Sequence, residues 1–221
     1  MMTTHLNDMT LDELRPILGT TLPADAAFDG WTPRALEATA ARLGLKPEIA
    51  ALVFPGGAVD MIDAWFASVD AAMLQKLTPE ALAAIKVRER ITALVEARLG
   101  LIAPHREALR RAQSILAVPT HAPTALHLGW RAADTMWRAA GDTATDYNHY
   151  TKRAILGGVY GATLLVFVND ESEGHVDTKA FLARRIEGIM KFEKAKARFT
   201  SGGDRMFSMS RFLGRLRYPA T

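Results

Sequence analysis

GDTATDYNHYTKRAILGGVYGATLLVFVND, the stretch from Gly141 to Asp170, decides how this chain folds. Within it, Ala154 to Val168 is a run of fifteen residues without a charge, which is shorter than the roughly 20 residues that a membrane-spanning helix requires. Glycines interrupt the run, so a buried helix is predicted. A helix that is apolar all round must be covered on every side, and the cover is expected to include a second copy of the chain. A buried strand is the alternative, because β-branched residues are frequent here.

The polar beginning of the same stretch marks the start of the helix. Thr143 can cap the helix, with Asp146 three residues later in a weak capping box. Four residues, Tyr147–Tyr150, include three with rings and are followed by the cations Lys152 and Arg153. A surface turn that is both aromatic and charged is therefore expected at this end of the helix.

The rest of the chain also has the hydrophobic periodicity of helices, and an all-α fold is predicted. Prolines fall near the predicted helix starts, where a missing N–H costs nothing. No run alternates with period two for long enough to compete as a strand. The predicted helices span Leu11–Ala27, Pro33–Leu43, Lys46–Phe54, Ala58–Leu77, Pro79–Leu101, Pro104–Leu116, Pro123–Ala139, Asp146–Val168 and Thr178–Phe199.

The segment around Gly44 has the spacing of a helix-turn-helix motif and is similar to the DNA-binding end of a TetR-type regulator. The positions that match the phosphate-contacting residues of such regulators are Ala51, Val53 and Gly57. From Gly44 to Gly57 there is one cation and one anion. Because phosphate neutralisation supplies much of the affinity of proteins for DNA, the motif is expected to survive as a folding unit that binds no nucleic acid.

Composition excludes several kinds of chemistry. The 221 residues contain no cysteine, so there are no disulfides and no thiolate chemistry. None of the six histidines has a glutamate three residues before it, whereas a di-iron hydroxylase needs that pair twice. The nucleophile, phosphate-loop and dinucleotide motifs are missing too. A protein without catalytic residues, metal or cofactor is predicted.

The residues around His149 also carry a family resemblance. Asp146-Tyr-Asn-His-Tyr-Thr-Lys-Arg153, with Asn169-Asp170 and Thr178-x-x-Phe-Leu-x-x-Arg185, resembles the C-terminal half of the Coq-nine (COQ9) family of lipid-binding accessory proteins of ubiquinone biosynthesis. The likeness runs from about residue 30 to 196. Family members usually carry tryptophan where this chain has His149. The family shares the TetR-like fold, which the resemblance therefore implies here.

The resemblance implies a function as well as a fold. Such a protein binds a polyprenyl quinone precursor at the membrane and presents it to the di-iron demethoxyubiquinone hydroxylase, without catalysing a step. It is expected to be a homodimer, in the bacterial cytoplasm and peripheral on the inner membrane. A TetR-type lipid-responsive transcriptional regulator is the alternative, and a purely structural membrane adaptor is a third reading.

Two sets of site residues follow from the resemblance. The partner-binding set, expected to contact the hydroxylase, is Asp134, Met136, Asp146, His149, Tyr150 and Arg153. The lipid-binding set comes from apolar residues in the middle helices, each of which ordinary core packing also explains. Its members are Trp65, Phe66, Met73, Leu94, Trp130 and Trp137.

The C-terminal end of the chain is strongly basic. From Lys179 onward there are 11 Lys and Arg against 3 Asp and Glu, whereas the first 178 residues have 16 against 21. The segment Arg205–Tyr218 predicts an amphipathic helix that lies on an anionic membrane surface; docking on the protein itself or on nucleic acid are the alternatives. Its membrane-binding residues are Arg205, Met209, Arg211, Phe212, Leu213, Arg215 and Leu216. The predicted division is 1–57 (degenerate helix-turn-helix), 58–199 (lipid binding and dimerisation) and 200–221 (linker and membrane helix).

Overall fold

The structure is a computed structural model that describes residues 6–145 and 147–201, with the side chains of those residues except 147, 190 and 192–201. Within these ranges every regular element is a helix, so the all-α prediction is confirmed and the strand alternative for residues 154–168 is wrong. The α-helices are α1 (Leu11–Asp29), α2 (Pro33–Leu43), α3 (Pro47–Val53), α4 (Ala58–Lys76), α5 (Pro79–Ala83), α6 (Val87–Ile102), α7 (Arg106–Leu116), α8 (Ala122–Ala139), α9 (Tyr147–Phe167) and α10 (Val176–Ser201).

The N-terminal helices have the helix-turn-helix geometry that the sequence predicts. Thr32 caps α2 by accepting a hydrogen bond from the Ala35 N–H at 3.4 Å. Gly44 ends that helix with φ of 68°, a left-handed conformation that suits glycine. Arg15 on α1 donates to the Val53 carbonyl at 3.2 Å, which ties the end of α3 to the first helix.

Helix α1 packs against α2, α4 and α7, and this packing forms the first part of the core. A Cβ on Gly19 would lie 2.6 Å from the Ala64 carbonyl oxygen, so α1 and α4 approach too closely there for any side chain. The Trp31 indole N–H donates to the Ala108 carbonyl at 3.0 Å from within the core. The helix-turn-helix is therefore packed onto the remaining helices of its unit.

The predicted helix Pro79–Leu101 is wrong as a single element, because the chain breaks it into α5 and α6. Lys86 adopts an extended conformation, and its N–H donates to the Glu89 carboxylate at 3.1 Å. Arg90 holds the break by donating to the carbonyls of Ile85 at 2.8 Å and Ala140 at 2.8 Å. Neither glycine nor proline marks this break in the sequence. The break is instead stabilised by the side chain of Arg90, which belongs to the following helix α6.

Helix α9 packs chiefly against α8 and also contacts α6. Leu156, Tyr160 and Phe167 on the packed side are buried. On the other side Ala154, Gly158 and Leu165 are exposed, and the exposed fraction of Leu165 is 60%. Part of the helix that was predicted to be buried is therefore uncovered in a single copy of the chain.

Asp170 fixes the turn between α9 and α10. Its carboxylate accepts hydrogen bonds from the Ser172 N–H at 2.9 Å and the Thr178 N–H at 2.8 Å. Burial alone would raise the pKa of Asp170, but these donors and the two hydroxyl groups hold it far below its usual range. The Asn-Asp pair singled out by the resemblance is therefore a turn and capping element.

The contacts divide the chain into two compact units, Met1–Leu182 and Ala183–Thr221. The first contains α1 to α9 and the start of α10, and the second contains the rest of α10. The division at 57 and 199 that the sequence suggests stays a prediction. Among the described residues no single helix has the length and hydropathy to cross a membrane. Helices α3 and α4 taken together are long and apolar enough, but the chain bends by 80° between them.

Candidate functional site

A small apolar cavity lies among five helices of the first unit. Its volume is about 110 Å³. Leu109 and Tyr160 are among its buried walls, while Gln113 and Ala125 at its edge are partly exposed. The cavity therefore has a closed floor and a mouth between α7 and α8. Its lining comprises Phe66, Arg98, Leu109, Gln113, Leu116, Ala125, Leu128, Gly129, Gly157, Tyr160, Gly161 and Leu164.

Two of these residues are polar and deeply buried. Arg98 on α6 is 1% exposed, and its Nη1 donates to the Asp70 carboxylate on α4. The Arg98 Cζ lies 5.0 Å from the centroid of the Tyr160 ring. A charged side chain is rarely buried without a partner, and here Asp70 balances the guanidinium at the cavity floor.

Asp70 belongs to a longer chain of ion pairs. Its second oxygen lies 3.3 Å from the Arg131 Nε on α8. Arg131 also contacts Asp63, which in turn accepts from Arg15 at 2.8 Å. The chain of charges thus links α1, α4, α6 and α8 behind the cavity.

Three rings, of which that of Tyr150 is the most exposed, cluster between the middle of α8 and the first turn of α9. Tyr150 is 61% exposed, and its ring centroid is 5.1 Å from that of His149 and 6.1 Å from that of Trp130. The neighbouring Leu126 is also exposed. We call these four residues the aromatic patch. Exposed aromatic side chains held together on rigid helices are typical of protein-binding surfaces.

A buried set of ion pairs supports the patch from below. Arg153 is 2% exposed, and its guanidinium donates to Asp134 at 2.6 Å and to Asp142 at 3.0 Å. Lys152 adds a second cation to Asp142 at 2.7 Å. Burial would raise the pKa of both carboxylates, but hydrogen bonds from Arg153 and Arg138 lower the pKa of Asp134. Hydrogen bonds from Lys152 and Arg153 lower the pKa of Asp142. Both carboxylates therefore stay charged at neutral pH.

The predicted partner-binding residues divide by position. His149 and Tyr150 lie on the surface, and Asp134 is partly exposed. Met136 is fully buried and Arg153 nearly so, which means that both position the surface without reaching it. Asp146 lies outside the described residues. The assignment of this set to a partner stays a prediction.

The predicted lipid-binding residues contribute one member to the cavity, Phe66. Trp65 stacks on Phe66 with 5.0 Å between ring centroids and belongs to the core, as do Met73 and Leu94. Trp137 donates its indole N–H to the Lys152 carbonyl at 3.0 Å. No sequence pattern marks Arg98 and Tyr160 as cavity residues, because the two side chains meet only when α6 and α9 pack together.

The surface of α3 carries little charge. Lys46, Glu48 and Ala51 are exposed, whereas Val53, one of the positions matched to phosphate contacts, is buried in the core. The predicted membrane-binding residues, Arg205 to Leu216, lie outside the described residues. No group of three or more His, Asp or Glu that could hold a metal ion occurs in the part of the chain that the structure describes.

The fold defines a class of protein, that of the TetR-like helical proteins. A crystal structure of a TetR transcriptional regulator from Nitrosomonas europaea superimposes with a TM-score of 0.63 and 25% identity, covering 80% of this chain and 97% of that one. The structural likeness therefore extends over four fifths of this chain.

Sequence relatives are more specific than the fold. The COQ9 family model matches residues 122–193. The bovine ubiquinone biosynthesis protein COQ9, mitochondrial, is 34% identical over 182 residues, 79% of this chain. Its human counterpart is 32% identical over the same length, and that of Drosophila melanogaster is 29% identical over 168 residues. The chain is thus a homologue of the COQ9 proteins, and the resemblance to that family is confirmed.

The matches do not extend over the whole of these relatives. This chain spans 57% of the length of the bovine and human proteins and 51% of the Drosophila protein. The matched segment 122–193 contains α8, α9 and the aromatic patch.

The first prediction concerns the support of the aromatic patch. Arg153→Met removes the buried guanidinium from two carboxylates that still have Arg138 and Lys152 as partners. The expected cost is therefore that of lost charge-assisted hydrogen bonds, about 1.5–3 kcal/mol, and not the larger cost of a fully unpaired buried charge. We expect that loss in the free energy of unfolding, measured by urea denaturation at pH 7. Arg138→Met is the matched control, because Arg138 also pairs with Asp134 but is 71% exposed; its loss should stay within about 1 kcal/mol. Equal losses for the two variants would contradict a structural role of Arg153.

Proposed function

We propose that this protein is a non-catalytic lipid-binding accessory protein of ubiquinone biosynthesis. In this proposal it binds a polyprenyl quinone precursor at the membrane and presents it to the di-iron demethoxyubiquinone hydroxylase. One observation supports it above the others: the apolar cavity takes much of its wall from the segment that matches the COQ9 family. Leu128 and Gly129 on α8, with Gly157, Tyr160 and Leu164 on α9, belong to both.

A physical reason explains why such a substrate needs a helper. Each buried methylene of a polyprenyl tail is worth about 0.8 kcal/mol, so the bilayer holds the precursor strongly. A protein cavity lined by leucine and phenylalanine offsets part of that loss. In this proposal the ring or a few tail carbons occupy the cavity, and the rest of the lipid leaves through the mouth near Gln113 and Ala125.

Lipid recovered with the purified protein tests this function. We expect organic extraction and mass spectrometry of the full chain, purified without detergent, to yield an isoprenoid with a quinone or phenol ring. A protein that carries no lipid, or phospholipid alone, would count against the proposal.

The TetR-like fold favours one other candidate, a lipid-responsive regulator. Salt-sensitive, sub-micromolar binding to its own promoter DNA in a gel-shift assay would favour that candidate instead.

The aromatic patch is the surface that we propose for the hydroxylase. Tyr150 is exposed and lies beside the rings of Trp130 and His149. The ion pair between Arg153 and Asp134 joins the two helices that carry these rings. Because a buried, paired Arg153 cannot contact a partner directly, the rings and Leu126 supply the contact area. In this proposal, flanking carboxylates such as Asp134 orient the hydroxylase on the patch.

Tyr150→Ala is expected to weaken the hydroxylase complex by about 10-fold or more, as for the loss of an interface hot spot. Surface plasmon resonance with the two purified proteins measures the affinity. Phe28→Ala is the matched control: Phe28 is 83% exposed but lies on α1, and its loss should leave the affinity unchanged. If Tyr150→Ala keeps the full affinity, the hydroxylase binds elsewhere.

The open face of α9 is where we propose that a second copy of the chain lies. Ala154, Gly158 and Leu165 are exposed along one side of the helix, and a Cβ on Gly158 would meet nothing within 4 Å. Small residues in such a row let two helix backbones approach closely. The homodimer would cover the face that a single copy leaves uncovered.

Light scattering of the full chain is expected to give twice the mass of 24.2 kDa. Leu165→Glu places a charge on the open face and should give the mass of a single chain. Leu52→Glu changes another exposed leucine, on α3, and should leave the dimer intact. A Leu165→Glu variant that remains dimeric would place the dimer contact on another face.

A further inference from the structure

Two of the residues that line the apolar cavity carry buried polar atoms that lack partners. The Arg98 Nε and the Tyr160 hydroxyl are fully buried, and neither has a hydrogen-bond partner among the described residues. Leaving a buried donor unpaired costs about 1–3 kcal/mol, and buried polar groups are seldom left so. Two such atoms on residues that line one cavity indicate that a ligand supplies the missing acceptor.

The two groups are both donors. Tyr160 lies on α9 with its ring beneath the guanidinium of Arg98 on α6, 5.0 Å from the Arg98 Cζ to the ring centroid. Burial raises the pKa of the Tyr160 hydroxyl, which keeps it protonated at neutral pH. An arginine Nε–H has no acceptor capacity. The Tyr160 oxygen can also accept from Arg98, but its own O–H proton has no acceptor among the described residues, and a ligand oxygen could supply one.

The surrounding charges favour an electron-rich acceptor. The linked cluster consists of three arginines and two aspartates, which leaves one positive charge in excess: Arg15, Arg98, Arg131, Asp63 and Asp70. Asp70 lies between two guanidinium groups, so its charge is already shared. An oxygen that carries partial negative charge is stabilised at this end of the cavity.

We propose that the cavity binds an oxygenated aromatic or quinonoid ring head first, with one ring oxygen accepting hydrogen bonds from Tyr160 and Arg98. The apolar walls at Phe66, Leu109 and Leu164 enclose the ring, and the tail points to the mouth near Gln113. This proposal rests on the proposed lipid-binding function and deepens it by naming the part of the ligand that is recognised.

The cavity is smaller than one known to admit a bare ring. An apolar cavity of about 150 Å³ accepts benzene, and the volume here is about 110 Å³. A substituted ring therefore requires side chains at the mouth to move outward. A bound ring would be shielded from water, and its presentation to a second protein requires that it leave the cavity.

The test compares two probes that differ in oxygen. Decylubiquinone has a quinone ring with a ten-carbon tail, and decylbenzene has the same tail on a ring without oxygen. Their affinities for the full-length protein are measured by quenching of tryptophan fluorescence, because Trp65 stacks on the cavity residue Phe66.

Tyr160→Phe removes only the hydroxyl group. We expect it to weaken the binding of decylubiquinone about 5- to 10-fold, the effect of one net hydrogen bond. The affinity for decylbenzene should change by less than about twofold. Its thermal midpoint should be equal to or above that of the unaltered protein, since an unpaired buried hydroxyl is lost. Thr163→Val is the matched control on the same helix, because the Thr163 hydroxyl already donates to the Val159 carbonyl at 2.7 Å.

A second measurement uses the unaltered protein alone. The infrared C=O stretch of bound decylubiquinone should move to lower wavenumber than that of the same quinone in hexane. Unchanged affinity in Tyr160→Phe, or an unshifted C=O stretch, overturns the head-first proposal while leaving lipid binding in place. Failure of the unaltered protein to bind either probe overturns both the proposal and the lipid-binding function.

Discussion

The close contact between α8 and α9 is the constraint on which the rest of the site depends. A Cβ on Gly157 would lie 3.4 Å from the Gly129 carbonyl oxygen, so the two helices meet almost backbone to backbone. The same contact serves two features. Gly129 and Gly157 border the cavity, while Trp130, the next residue on α8, and Tyr150, about two turns before Gly157 on α9, belong to the aromatic patch. Any movement of α9 against α8 changes the cavity and the patch together.

Buried charge keeps this pair of helices in one arrangement. Arg153 on α9 donates to Asp134 on α8 and to Asp142 between them, and deeper in the unit Arg98 and Arg131 share Asp70. Such pairs add little net stability compared with apolar packing, yet they are costly to break. Here they fix the positions of the rings in the aromatic patch, as a protein-binding surface requires.

Local rules predicted much of the fold and little of the site. Capping by Thr32, the left-handed turn at Gly44 and the limits of α2 follow from residues next to each other in sequence. The break between α5 and α6 does not follow from neighbouring residues, because it is stabilised by a hydrogen bond from Arg90 to the carbonyl of Ala140, 50 positions away. The resemblance to COQ9 named His149 and Tyr150 of the patch but not Trp130 or Leu126. The burial of Met136 and Arg153 and the contact of Arg98 with Tyr160 arise only when distant helices pack.

We propose that lipid occupies the cavity bounded by α4 and α6 to α9. A quinone probe with a photoreactive diazirine at the start of its tail tests this occupancy most directly, with labelled peptides mapped by mass spectrometry after irradiation of the full-length protein. We expect labels on α7, α8 and α9 near Leu116, Ala125 and Gly161, and competition by unlabelled decylubiquinone. Labels confined to the helix-turn-helix, Pro33–Val53, or labels that do not respond to competitor, would contradict it.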